Sequence, residues 1–141
     1  MTEPIFPCLW FESQAQDAAE YYCSIFHNSR IQSSGPVVVI FELNSRKFMG
    51  LNGGPHYKLN EAVSFVITCK DQIEIDHYWD KLSEGGTESQ CGWLKDKFGV
   101  SWQVVPEILP KLMSDPQRAA SVTQAFLKMK KFIIADLISA E

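Results

Sequence analysis

The 141 residues predict an α+β fold made of two βαβββ modules followed by a helical tail. Three observations carry that expectation. An apolar run, a helical stripe and three short strand-like runs occur in order, and the same order begins again at Ala62. The pattern Tyr21-Tyr22…Ile25 returns 57 residues later, from 21 to 78, as Tyr78-Trp79…Leu82. Beyond Pro106 the apolar spacing is helical throughout.

In chain order, residues 5–11 read as a strand after Pro4. From Ser13 the period changes, and Ala15, Ala18, Ala19, Tyr22 and Phe26 form a stripe over about three helical turns. Asn28-Ser29 ends that helix. Ile31 opens an extended segment, Ser33-Ser34-Gly35-Pro36 turns it, and residues 37–43 are a β-branched run. Residues 44–47 are a turn, 48–51 another strand, and Asn52-Gly53-Gly54-Pro55 breaks the chain.

The second module opens with a strand over 62–69. Asp71 is a natural N-cap with Glu74 three residues on, close to a capping box. Ile75, Tyr78, Trp79 and Leu82 form the stripe, and Gly85-Gly86 ends it. Strands over 87–91, 93–95 and 101–105 follow, the last two joined through the turn Lys95-Asp96-Lys97 and Gly99. In the tail, Ile108, Leu109 and Leu112 suit a short helix. Ser114-Asp115-Pro116 reads as a cap with proline at the first helical position, and Ala119, Val122, Phe126 and Met129 form a stripe. The module boundaries fall at about 1–58, 59–106 and 107–141, within a single domain.

Composition narrows the function classes. An apolar fraction of 45% and a charged fraction of 21% are ordinary for a globular protein. A net charge of −4 argues against a dedicated nucleic-acid or anionic-membrane binder. No apolar run approaches the ~20 residues of a membrane span. The first seven residues lack a basic start and a long apolar run, so a cytoplasmic protein with reduced thiols is expected. Cys8, Cys23, Cys69 and Cys91 form no CxxC, and His27, His56 and His77 share no ligand spacing. Cys91 reads as a plain thiol rather than a nucleophile, with no helix N-terminus or histidine to activate it.

Strand alternation suggests where a ligand would sit. Val63, Phe65 and Ile67 face the helix while Ser64, Val66 and Thr68 face away, and Trp102 and Val104 oppose Ser101, Gln103 and Val105. The first strand offers Pro7, Leu9 and Phe11 on one face, and the fourth offers Met49 and Leu51. These faces are expected to enclose a mostly apolar hollow with a few polar groups, the usual make-up of a small-molecule site. The expected ligand-binding residues are Leu9, Phe11, Met49, Leu51, Ser64, Trp93 and Gln103, with Asn52 and Gln90 at the rim. Ordinary packing, with Ser64 and Gln103 merely satisfying the backbone, explains the same pattern.

Trp10-Phe11, Tyr21-Tyr22…Ile25-Phe26, Asn28-Ser29-Arg30-Ile31, Asn52-Gly53-Gly54-Pro55 and above all residues 90–106 resemble the PhnB-like proteins. That family carries the domain label 3-demethylubiquinone-9 3-methyltransferase and belongs to the glyoxalase, bleomycin-resistance and dioxygenase (vicinal oxygen chelate) superfamily. The resemblance extends over nearly the whole chain, including Met129-Lys130-Lys131. It implies paired βαβββ modules and a homodimer. A methyltransferase activity is not expected, because no glycine-rich turn joins a strand to a helix.

Two functions of different class remain. One is a small-molecule-binding protein, and the other is an enzyme of isomerase, lyase or transferase type acting on a small oxygen-bearing metabolite. No acid–base pair is visible among Glu12, Glu42 and Glu107, which favours binding. The resemblance also implies where metal-dependent relatives place their ligands, on the first and fourth strands of each module. Here those positions fall on Pro7, Leu51, Ser64 and Gln103, which are poor ligands or none. Slipping one residue offers Cys8 and Asn52, expected on the opposite face. No metal and no cofactor are expected.

Overall fold

A computed structural model describes residues 2–140, which fold as two compact units divided between Leu59 and Asn60. The first contains β1 (Cys8–Phe11), α1 (Ala15–Ile25), β2 (Arg30–Ser34), β3 (Val38–Leu43) and β4 (Arg46–Asn52). Its sheet runs β1-β4-β3-β2, with β1 parallel to β4 and the other pairs antiparallel. The second unit repeats this with β5 (Ser64–Cys69), α2 (Gln72–Ser83), β6 (Thr87–Glu88), β7 (Trp93–Lys95) and β8 (Ser101–Pro106). Its order is β5-β8-β7-β6, with β5 parallel to β8. The repeated βαβββ order and the α+β class expected from the sequence are both present.

Each helix lays its apolar stripe on one face of its own sheet. Ala15, Ala18, Ala19, Tyr22 and Ile25 are all buried on α1, as are Ile75, Tyr78, Trp79 and Leu82 on α2. Small residues let α1 approach closely: a Cβ on Gly50 of β4 would lie 3.1 Å from the Ala15 Cβ. The two helices are capped differently. Asp71 accepts from the Glu74 amide at 2.9 Å, and the Glu74 carboxylate reaches back to the Lys70 amide. For α1, which begins at Ala15 rather than Ser13, the cap comes from a distant strand: Asn52 Oδ1 accepts from the Ala15 amide at 2.9 Å.

Local chemistry shifts several boundaries. The β3–β4 hairpin needs only Asn44 and Ser45 as its loop, both at positive φ, so β4 starts at Arg46. The strand expected over 87–91 stops at Glu88. Cys91 and Gly92 both take positive φ, and their amides leave the sheet to donate to Met129 O and Lys130 O. Among the described residues the tail has three helices, α3 (Ile108–Met113), α4 (Ala119–Phe126) and α5 (Ile134–Ile138). Asp115 holds a turn through the Gln117 amide, so α4 begins at Ala119 rather than beside Pro116. Met129 lies beyond that helix, and α5 carries no signal that the stripe revealed.

Candidate functional site

The β5–β8–β7–β6 sheet has two unlike faces, fixed by its register. Phe65, Ile67, Leu94, Trp102 and Val104 point to the α2 side, where Trp79 Nε1 donates to Glu88 Oε1 at 2.8 Å. On the opposite face the partners Thr87↔Lys95, Lys95↔Ser101 and Ser101↔Ser64 form one row of polar side chains across four strands. The next row is Trp93↔Gln103 and Gln103↔Val66. The sequence pattern of one apolar and one mixed face is therefore what folds.

A cleft of about 470 Å³ opens on the β6–β7 end of this sheet, lined by Glu61, Thr87, Glu88, Ser89, Trp93, Leu94, Lys95 and Ser101. Lys95 Nζ pairs there with Glu61 Oε1. The hydrogen bond from Lys95, reinforced by its charge, holds the exposed Glu61 carboxyl below its usual range. Ser101 is 2% exposed, and among the described residues its Oγ is the buried side-chain atom without a hydrogen-bond partner. A buried hydroxyl left so is costly unless something else meets it. Beside it, Gln103 Nε2 donates to Ser64 Oγ at 3.0 Å, leaving the Ser64 proton to be given elsewhere.

The expected site residues divide. Ser64 and Gln103 are bonded to each other, and Trp93 shares the face of Gln103 and lines the cleft. Gln90 is exposed. Met49 and Leu51 lie on the face of the first sheet opposite α1. Leu9 and Phe11 do not share that face. Their partners are Gly50 and Asn52, and both side chains are buried on the α1 side, so they are core and not lining. Cys8 and Trp10 take the face of Met49 and Leu51 instead. The metal-ligand reading therefore placed Pro7 on the wrong side and Cys8 likewise: alternation puts Cys8, not Pro7, with Leu51.

Asn52 is also occupied. Its Oδ1 caps α1 and its Nδ2 donates to Pro36 O at 3.0 Å. The Gly53 and Gly54 amides donate to Phe11 O and Glu12 O. Gly53 is glycine because Trp10 lies across it: a Cβ would fall 2.3 Å from the indole, whose Nε1 donates to Gly54 O.

Sequence reasoning missed Ser101, Lys95 and Glu61 as a group. The polar tripeptide 95–97 read simply as a turn, and only the register shows Lys95 standing beside Ser101. Asp96 was missed too; it is 2% exposed and holds that turn together. Cys91 Sγ donates to Phe126 O at 3.7 Å, a structural role. Burial, then Glu74 and Asp71, push the Cys69 thiol up to about 12. Among the described residues no three His, Cys, Asp or Glu side chains are grouped to hold a metal, and no helix is long and apolar enough to cross a membrane.

The paired βαβββ units define a glyoxalase-like fold. The structure overlays on a glyoxalase-related enzyme from Fulvimarina pelagi (TM-score 0.56, 9% identity, covering 77% of this chain and 91% of that one). A Pseudomonas aeruginosa protein overlays at TM-score 0.61 and 19% identity, covering 75% and 98%. More similar in sequence is the PhnB protein from Bacillus cereus, which carries the 3-demethylubiquinone-9 3-methyltransferase name. It overlays at TM-score 0.68 and 30% identity, covering 74% of this chain and 99% of that one. The sequence profile of the 3-demethylubiquinone-9 3-methyltransferase family matches residues 3–105, and the chain belongs to that family. The match ends before the tail, so Met129-Lys130-Lys131 lies outside it, contrary to the extent expected. No curated protein sequence matches this one.

Proposed function

We propose that this protein binds a small molecule in the cleft beside β6 and β7, without a resident metal and without transferring a methyl group. The observation that supports this reading is the Ser101 hydroxyl, buried and without a partner in the wall of that cleft. Trp93 adds a flat apolar surface and Lys95 a charge, so apolar and polar groups converge as small-molecule sites require. The strand-to-helix junctions carry Glu12-Ser13-Gln14 and Lys70-Asp71, with no glycine over which a nucleoside-type methyl donor would lie.

A thermal-shift screen of small metabolites tests the reading. A ligand present at 100 times its Kd adds about 2.7 kcal/mol of stability. Ser101→Ala should weaken that response, and a set of binders indifferent to this substitution would argue for another site. Metal analysis of protein purified without an affinity tag should find well below one equivalent of zinc, nickel, iron or manganese. A stoichiometric metal, lost on chelation together with ligand binding, would overturn the metal-free part. We further propose a cytoplasmic homodimer, which light scattering after size exclusion checks as to mass.

A further inference from the structure

We infer that the ligand of the cleft is an anion, a small aromatic or otherwise flat apolar molecule bearing one oxyanion group, and that Glu61 holds its place on Lys95. The inference rests on the small-molecule reading above and names the class of molecule.

Lys95, Ser101 and Ser64 stand in one row on adjacent strands, side chains on the same face. Directly opposed residues on neighbouring strands have Cβ atoms about 5 Å apart, a spacing one carboxylate or phosphate can bridge. Every polar group in this stretch of the row can donate. Lys95 brings an ammonium and Ser101 a hydroxyl with no partner. Ser64 accepts from Gln103, so its own proton is free to be donated to an acceptor. A run of donors around one cation is complementary to an oxyanion. The two carboxylates that also line the cleft are both engaged, Glu61 on Lys95 and Glu88 by the Trp79 indole. Trp93 lies one row along, on the same face and in the same cleft, where it can cover an apolar ring.

The structure already shows one carboxylate on Lys95, that of Glu61. Glu61 belongs to the segment before β5 rather than to the sheet, and its side chain is 62% exposed. Exposed ion pairs of this kind contribute only ~0.2–1 kcal/mol. An incoming oxyanion that also reaches the buried Ser101 hydroxyl gains a hydrogen bond that Glu61 does not make. The ligand should therefore displace Glu61, and Glu61 sets a threshold against weaker anions.

Three probes test this: benzoate, its neutral near-isostere benzamide, and phenyl phosphate, each titrated into the full chain and followed by ¹H–¹⁵N correlation spectra. Benzoate or phenyl phosphate should move the Trp93 indole and Ser101 amide signals. Benzamide should bind at least about tenfold more weakly, which corresponds to about 1.4 kcal/mol. Which anion binds more tightly separates a carboxylate ligand from a phosphate. Lys95→Met should abolish the preference for the anion. Glu61→Gln should raise anion affinity about threefold, a gain that damaged folding cannot mimic. Equal binding of benzamide and benzoate at Trp93 would overturn the anion class while leaving the small-molecule site standing. An unchanged or lowered affinity in Glu61→Gln would overturn the displacement of Glu61. Silence of both signals toward all three probes, up to their solubility limits, would overturn the inference and the site together.

Discussion

Asp96→Ala should destabilise the second unit by about 3–4 kcal/mol, far more than its place in a polar turn suggests. The carboxylate is 2% exposed and fully engaged. Oδ1 accepts from the Phe98 amide at 2.8 Å and the Val100 amide at 3.1 Å, and Oδ2 accepts from Trp102 Nε1 at 2.8 Å. Two of those donors set the β7–β8 turn, and the third is the polar atom of a core side chain 3% exposed. Removing the carboxylate leaves the indole N–H buried without an acceptor, at about 1–3 kcal/mol for that group alone. Asp96→Asn should fall between, since its single amide oxygen can serve the turn or the indole but not both. Urea unfolding monitored by tryptophan fluorescence measures this, and a loss below about 1 kcal/mol in Asp96→Ala would show that the network is replaceable. Because Lys95 and Ser101 flank this turn, the same variant should also lose ligand response.

Asp96 illustrates what the sequence could and could not reveal. Helix stripes and strand alternation are local, and they placed Tyr22, Trp79 and Trp102 in the core correctly. They also separated Ser64 and Gln103 from the core face, because a period of two assigns faces without knowledge of partners. Alternation says nothing of which strands share a face once paired. Leu9 and Phe11 were grouped with Met49 and Leu51, yet Leu9 lies opposite Gly50 and Phe11 opposite Asn52. Pairing β1 with β4 across some forty residues is a tertiary fact, and it decides the matter. The same limit hid Asn52, whose side chain caps a helix that begins 37 residues earlier. Ser101 and Lys95 became a site only when the register set them side by side. Composition could not distinguish the buried Asp96 from the exposed Lys97 beside it.

Gly92→Ala should cost about 3 kcal/mol or more, and should act by loosening the tail from the second sheet. Gly92 is buried at φ +81, a conformation in which a side chain is strained. A Cβ there would sit 2.6 Å from Val104 O, which is backbone of β8, and 2.6 Å from Cε2 of Phe132, itself 1% exposed. Neither neighbour can yield cheaply, since Val104 N donates to Gly92 O at 2.8 Å and Phe132 fills the interior. The Gly92 amide donates to Lys130 O and the Cys91 amide to Met129 O, so this loop is where the tail is fastened. Hydrogen exchange at those two amides reads the fastening directly, and both should exchange faster in the variant than the change in global stability alone requires. Gly54→Ala supplies the contrast. Gly54 has φ +88 but nothing within 4 Å of a Cβ, so only the dihedral strain of about 1–2 kcal/mol should appear. The difference between the two variants measures the packing of Phe132 and β8 against the loop. Adding Phe132→Ala to Gly92→Ala should recover part of that difference, because the ring contact vanishes while the clash with Val104 O stays. If Gly92→Ala costs no more than Gly54→Ala, the close approach at Gly92 is not what holds the tail.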